Sequence, residues 1–210
     1  MANLDMKKTL KHLFTPSTKQ VGIVEIPPMS YLMIDGEGNP NTSEQYVEAV
    51  QALYNMAYAI RAICKEAGDV FTVMPLEGLW MVKGMEGVPE DFQLTPTDKD
   101  NFVWTMMILQ PDFVTADIVE QARENVSKKK PAPPRLAEVY FEIYHEGDAA
   151  QLMHIGPYAD EGPNIARIHQ YIADNGWKLS KKHHEIYISD PRKVAPEKMK
   201  TIIRQPFDRS

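Results

Sequence analysis

The chain has one cysteine, Cys64, in 210 residues, so it can form no internal disulfide. A reducing compartment is therefore expected. No apolar run approaches the roughly 18 residues that cross a bilayer as a helix. The opening stretch, "MANLDMKKTLKHLF", is charged and periodic and lacks the apolar centre of a signal peptide. Together these point to a cytoplasmic protein without membrane contact. Basic residues are not in excess either: Lys and Arg number 23 against 29 Asp and Glu, for a net charge of −6. That balance argues against a nucleic-acid partner, whose phosphates call for a basic face. The loop "GEGNP" (36–40) lacks both the Walker lysine and the dinucleotide glycine spacing. His183 and His184 are adjacent on an expected strand, so they point to opposite faces and cannot readily share an ion. His154 and His169 add no ligand spacing, so no metal and no cofactor are expected. Cys64 lies on an apolar helical stripe without an evident base, which argues against a nucleophile.

What the chain has in plenty is proline, 16, and tyrosine, nine. The prolines divide it into short elements. "LDMKKTLKHLF" reads as a helical arm, with Leu4, Leu10, Leu13 and Phe14 on its apolar side. "QVGIVEI" (20–26) and "SYLMID" (30–35) read as strands. A long helix follows, capped by Thr42 or Ser43 and ended by Gly68, with an apolar stripe of Val47, Val50, Leu53, Tyr54, Ala57, Ile60 and Cys64. Segment 70–84 reads as one or two strands bent at Pro75. Segment 101–110 is a strand, and 115–126 a helix capped by Thr115. "SKKKPAPP" (127–134) is a stiff, solvated linker. Beyond it, 135–144 reads as a strand with Ala137, Val139, Phe141 and Ile143 on one face and Glu138, Tyr140, Glu142 and Tyr144 on the other. A strand at 150–156, a helix over 160–175 and the strand "HHEIYISD" (183–190) come next. "PEKMKTIIR" (196–204) fits a helical turn or a strand edge.

The halves echo each other. "LMIDG" at 32–36 matches "LMHIG" at 152–156, and each precedes a proline-bearing loop and a helix. The predicted fold class is α+β: a tandem duplicated β-α-β-β module, its antiparallel sheet carrying helices on one face and a ligand cleft between the halves. The expected boundaries are an arm at 1–19 and one domain at 20–207. Its repeats span about 20–127 and 135–207, joined by the 127–134 linker.

Alternation along "HHEIYISD" puts Ile186 and Ile188 on one face and Glu185 and Tyr187 on the other. A carboxylate facing a closed space needs a partner, and burial raises its pKa toward the range of a general acid or base. Trp80 faces away from Leu79 and Met81 and is free to wall a cleft. Trp104 shares a face with Phe102, Met106 and Ile108, which suits core as well as a ligand wall. Tyr140 and Glu142 would floor the cleft if their strand neighboured that of Glu185. Met153 is one of several strand methionines suited to an adaptable pocket.

"YLMIDGEG", "HIGPYADEGPNIARIHQYIADNGW" and "HHEIYISDP", in that order, resemble the GyrI-like small-molecule-binding domain. The resemblance covers residues 20 to 207. It implies an open cleft in which a carboxylate, matched here by Glu185, receives bulky, often cationic, aromatic molecules. In this family the domain serves as the drug-sensing half of transcription regulators and also stands alone. With about 20 residues before the first strand, too few for a helix-turn-helix, the stand-alone form is expected. Some stand-alone members are similar to cyclopropanoid cyclopropyl hydrolases, which add water to the strained ring of DNA-alkylating natural products. The insertion at 85–101 and the 127–134 linker make the chain longer than a minimal sensor, a form associated with that branch. The resemblance then implies Glu185 as the group that deprotonates water and a tyrosine hydroxyl as donor to the developing phenolate. Tyr140, Tyr158 and Tyr187 are the candidates for donor, with Tyr187 beside Glu185 in the catalytic pair. Trp80, Tyr140, Tyr158, Trp104, Glu142 and Met153 are the candidate ligand contacts. The alternative is a protein that sequesters or senses lipophilic cations without changing them. The expected partner is a hydrophobic aromatic small molecule. A protein partner stays open and would call for a large exposed apolar patch away from the cleft.

Overall fold

The structure, a computed structural model, describes residues 3–84 and 96–209. Most of the 85–101 insertion, residues 85–95, lies outside the described residues. The strands are β1 (Gly22–Ile26), β2 (Met29–Glu37), β3 (Glu77–Val82), β4 (Phe102–Leu109), β5 (Tyr140–Tyr144), β6 (Gly147–Ile155), β7 (Lys178–Leu179), β8 (His183–Tyr187) and β9 (Lys200–Asp208). They form one antiparallel sheet in the order β1-β6-β9-β8-β3-β4-β2-β5, with β7 paired to β9. The sheet curls into a half-barrel. The first and second halves of the chain meet at the β3–β8 seam, where Glu77–Trp80 runs against His183–Ile186. The outer strands are exchanged, β1 lying beside β6 and β5 beside β2. β2 and β6, which carry the two similar pentads, each stand second from an end.

The helices follow from their caps. α1 (Met6–Thr9) and α2 (Lys11–Phe14) form the arm. α3 (Glu44–Ala67) starts where the Ser43 hydroxyl accepts from the Tyr46 N–H and stops at Gly68, whose φ of 102° suits glycine. Its buried stripe is Ala49, Ala52, Leu53, Met56, Ala57, Ile60 and Cys64. Val47, expected in that stripe, is 63% exposed. At about 100° per residue it lies some 120° around the helix from Leu53. α4 (Ala116–Ser127) is capped by Thr115, and α5 (Gly162–Asp174) buries Ile165, Ile168 and Ile172.

Three expectations need correction. Only Glu77–Val82 of segment 70–84 is a strand; Phe71 makes one isolated bridge to Leu4. The strand expected from residue 135 starts at Tyr140, after a short 3-10 turn at Leu136–Glu138. The cause is Arg123 on α4, whose guanidinium takes up the carbonyls of Leu136 and Val139 at 2.7 Å each, and Arg135 in the left-handed region at φ 57°. "PEKMKTIIR" becomes a 3-10 turn followed by β9, which is no edge: it lies between β6 and β8.

A buried ionic cluster fastens the seam. His184 Nδ1 lies 2.8 Å from Glu146 Oε1 and its Nε2 lies 3.0 Å from Glu77 Oε2. Arg204 on β9 donates to Glu146 Oε2 and to the Leu13 carbonyl, both at 3.0 Å, and Gln151 joins it to β6. One cluster thus ties β3, β8, β9, the turn before β6 and the arm. Burial disfavours the His184 imidazolium, but Glu146 and Glu77 outweigh it and raise its pKa above 6.5. Burial pushes the Glu146 carboxyl up, yet His184 and Arg204 together hold it at about 2.

These shifts fix how the cluster responds to pH. His184 has a raised folded pKa, so its contribution is full below 6.5 and lost as pH rises through the folded value. Glu146 has a depressed one, so its contribution is full above 4.5 and lost as pH falls through about 2. Urea unfolding of wild type should show the cluster's contribution level between those limits and falling on both sides. His184→Leu should lower stability by about 3–5 kcal/mol at pH 6, because it leaves two buried carboxylates without their imidazolium. An unchanged urea midpoint would show that the cluster does not fasten the seam.

Candidate functional site

Strand alternation and the observed register give the sheet two distinct faces. One carries Trp80 and Gly78 of β3, His183, Glu185 and Tyr187 of β8, and Thr201 and Ile203 of β9. α3 and α5 both pack on this face. Tyr46 of α3 touches Trp104, and the isoleucines of α5 touch Ala150, Leu152 and Ile203. Over the seam, Tyr46, Trp80, Tyr158 and Tyr187 gather into one aromatic cluster.

Glu185 is at its centre, with its side chain 12% exposed. The Tyr187 hydroxyl donates to Glu185 Oε2 at 2.8 Å and accepts from Trp80 Nε1 at 3.0 Å. Gly78 faces Glu185 across the seam, and its lack of a side chain makes room for this chain of contacts. A Cβ there would stand 2.7 Å from Trp80 Nε1 and 3.1 Å from the Tyr187 hydroxyl. Tyr46 stacks on Trp80 with centroids 6.2 Å apart, and Tyr158 sets its edge to Tyr187 at 5.6 Å.

A second carboxyl, Glu161, stands just before α5 against Glu185 and Thr201, and its Oε1 is buried without a hydrogen-bond partner within the described residues. Burial and the charge of Glu185 push it up to about 10, so it holds a proton at neutral pH. The same causes act on the phenols. Burial, then Glu185, hold the Tyr187 and Tyr46 hydroxyls well above 10, and burial, Glu161 and Glu185 bring Tyr158 to about 12. All three are therefore donors at neutral pH. Chemically, the cleft is an aromatic cage around one protonated carboxyl and a second carboxyl already engaged by a phenol.

Of the residues predicted from sequence, Glu185, Tyr187, Trp80 and Tyr158 come together. Trp80 is buried between Tyr46 and Phe102. Trp104 is on the same face but fully buried behind them, with its Nε1 donating to the Gly38 carbonyl and its ring lying on Gly36. Tyr140, Glu142 and Met153 do not join. β5 is at the far edge of the sheet, and the register turns Tyr140 and Glu142 to the opposite face. There they border a groove of about 580 Å3 with Met33, Asp35, Thr105 and Lys182, and the Tyr140 hydroxyl donates to Asp35 Oδ2. Met153 is core on that same opposite face. His183 and His184 do point to opposite faces, and among the described residues no group of three or more candidate ligands could hold a metal.

Sequence reasoning missed Tyr46 and Glu161. Tyr46, Tyr54 and Tyr58 run along α3 beside its apolar stripe, a signal that could have marked a wall. Glu161 lies inside the "GPYADEGPN" motif, but nothing local shows that it meets a residue 24 positions on.

The sequence profile of the GyrI-like small molecule binding domain matches residues 19–207. Among solved structures, an uncharacterized conserved protein from Listeria innocua is 37% identical with a TM-score of 0.88, covering 98% of this chain and 100% of its own. A protein from the same organism described as a hydrolase is 36% identical with a TM-score of 0.83, over 98% and 100% of the two chains. The EcmrR C-terminal domain, at 14% identity, a TM-score of 0.55 and coverage of 91% and 98%, shares the fold. No curated protein matches. Among the described residues, no helix is long and apolar enough to cross a membrane.

Gly78→Ala tests the cage directly. The added Cβ should separate Trp80 from Tyr187, shift the tryptophan fluorescence, and lower stability by about 1–3 kcal/mol. Unaltered emission would mean that the seam tolerates a side chain and that Gly78 does not set the geometry.

Proposed function

The chain belongs to the GyrI-like small molecule binding domain family, and we propose that its cleft binds bulky aromatic small molecules and detoxifies them by hydrolytic opening of a strained cyclopropane. The observation that carries this reading is the pair of carboxyls inside the aromatic cage, Glu161 holding a proton beside Glu185. The 36–37% identity to Listeria innocua proteins described as hydrolases supports it.

The chemistry requires a water delivered to a cyclopropane carbon fused to a dienone. Glu185 takes the water's proton as the C–O bond forms. The breaking C–C bond sends its electron pair into the dienone, whose oxygen becomes a phenolate and then a phenol. The product is heavier by one water. Glu161, neutral, keeps a second negative charge out of the cage, and its free Oε1 accepts a hydrogen bond from the attacking water. The donor to the phenolate is read by elimination. Tyr140 is on the other face and committed to Asp35, and Tyr187 gives its proton to Glu185. Tyr158 is left: a protonated phenol, 41% exposed and set against Tyr187. Tyr187 and Trp80 orient Glu185, and Tyr46 with Trp80 supplies the flat walls. In this reading the two halves of the chain are repeats of one module, with 1–19 as an arm and 127–134 as the joint between them. The exchange of β1 and β5 and the matching places of β2 and β6 support that division.

The same cage around a carboxylate also suits a lipophilic cation, held by cation–π contacts of about 0.5–2 kcal/mol each. One assay separates the readings. Wild type and Glu185→Gln are incubated with a cyclopropane-containing duocarmycin-type compound, and the products are weighed by mass spectrometry. A product heavier by one water, slowed at least about 100-fold in Glu185→Gln and about 10-fold in Tyr158→Phe, is expected. Unchanged compound that stays bound to wild type would replace hydrolysis by sequestration.

The acid form of Glu161 sets a pH limit. Turnover should decline as pH rises through about 10, where Glu161 gives up its proton. Keeping that carboxyl protonated also weighs on the fold increasingly from pH 4.5 upward, because the unfolded chain would release the proton. Glu161→Gln should therefore gain stability relative to wild type at pH 8 more than at pH 5. Equal differences at the two pH values would show that Glu161 is not buried neutral.

A further inference from the structure

Unsatisfied buried polar atoms are rare in native proteins, and each asks for an explanation. Apart from Glu77 Oε1 and Gln110 Oε1, those among the described residues lie on or beside the Glu185 face: Glu161 Oε1, Thr201 Oγ1, both ring nitrogens of His183, His169 Nε2 and Gln205 Oε1. Glu161 stands against Thr201 and His169 against Gln205 without well-formed hydrogen bonds, and His183 Nδ1 has no partner among the described residues. His183 shares the cleft face of β8 with Glu185, and its Nε2 is 3.5 Å from Glu185 Oε1. Continuing the β8–β9 register past His184 and Arg204 brings His183 opposite Gln205. His169, on α5, lies against both His183 and Gln205. Gln205 Nε2 in turn donates to the Ser180 carbonyl at 3.0 Å. His169 and Ser180 are both half-buried. The string therefore starts at the Glu161–Glu185 pair, runs beside His169 of α5, and ends at the half-buried His169 and Ser180.

Such a row would be costly to bury if it were dry. A neutral imidazole must also offer one N–H and one lone pair; Nε2 of His183 faces Glu185 at 3.5 Å, and Nδ1 has no partner among the described residues. The groups alternate in a way that suits water-mediated hydrogen bonds: a carboxyl, an imidazole, a second imidazole, an amide. Burial and the neighbouring His183 lower His169 to about 4, so it is neutral under ordinary conditions and can both accept and donate. The charged or titratable groups that face His183 are Glu185 on its own strand, His169 from α5 and, through Glu185, Glu161; Trp80 lies across from it on β3.

We propose that His183 and His169 are the inner and outer stations of a water-filled proton path that runs from Glu185 to the surface. The path serves the reading of Glu185 as a base, and rests on it for its catalytic part. Glu185 takes a proton from the attacking water and passes it to His183 Nε2. The Nδ1 proton leaves to water, then to His169, then to solvent. The phenolate recovers one proton at the cleft mouth, so the protons balance. A bulky ligand fills the mouth, and the path keeps Glu185 in proton exchange while it does. His183 works through Glu185 and does not touch the substrate.

Two measurements test this separately from the hydrolase reading. In 15N-histidine-labelled wild type, the ring N–H of His183 should exchange rapidly with water and show cross-peaks to it. A slowly exchanging, water-free His183 ring overturns the path whether or not the protein is an enzyme. With the cyclopropane compound, His183→Phe and His183→Gln should each lower kcat about tenfold or more at constant KM and displace the acid limb of the pH–rate profile, because neither side chain relays a proton. A wild-type rate and profile in His183→Phe also overturns it. If His183→Phe does not fold, the decision rests on the labelled wild type. If wild type turns nothing over, the hydrolase reading falls and the water contacts of His183 still decide the path.

Discussion

An imidazolium between two carboxylates, backed by a guanidinium, is what the rest of the structure leans on. The seam between the halves is short, Glu77–Trp80 against His183–Ile186, and the cleft stands on it. His184 and Glu77 on one face fix the register by which Gly78 and Trp80 meet Glu185 and Tyr187 on the other. A slip of one residue would send Glu185 to the arm side and His184 into the cleft. Charges buried this deeply contribute little net stability when compared with apolar packing. What they supply here is specificity, because in this register both ring nitrogens of His184 find a carboxylate, Glu146 on one side and Glu77 on the other. The arm is drawn into the same arrangement through the Leu13 carbonyl, so the N-terminal segment and the seam hold each other in place.

Local signals were legible in the sequence, and long-range ones were not. Ser43, Thr115 and Gly68 announced their helix ends because capping is settled within a few residues. The faces of β8 were readable because Ile186 and Glu185 alternate. The 135–139 stretch alternates just as well, yet it is not a strand, because Arg123 reaches over from α4 and occupies its carbonyls. β9 was hidden for a different reason. Thr201–Phe207 is buried throughout, on both faces, so it has no alternation, and Arg204 and Gln205 look out of place until His184, Glu146 and Ser180 are brought to them. Sheet order shows the same limit: nothing in "YFEIY" says that it joins β2 and not β8, and that one fact moves Tyr140 and Glu142 out of the site.

The two faces of the sheet divide the work. The arm and the ionic cluster occupy the side opposite the cleft, where charge is compensated: His184 and Arg204 balance Glu77 and Glu146. On the cleft face, among the described residues, no arginine or lysine pairs with Glu185 or Glu161. Burial first, and then the charge of neighbouring carboxylates, keeps protons on Glu161, Tyr46, Tyr158 and Tyr187.

That arrangement bears on what the cleft is for. A trap for lipophilic cations needs one carboxylate among aromatic rings. A second glutamate pressed against the first is a burden for such a trap: burial forces it to be neutral, it adds no charge to attract a cation, and it weakens the fold at neutral pH. The same pair is useful where a proton has to move. One carboxyl can accept a proton while its neighbour, held neutral by burial and by the adjacent charge, keeps its own and binds the water that gives one up. Tyr187 adds to this by hydrogen-bonding Glu185 Oε2, which leaves the carboxyl oriented and its Oε1 turned toward His183. The cage selects a flat aromatic guest under either reading. Glu161 is the residue whose presence favours turnover over capture.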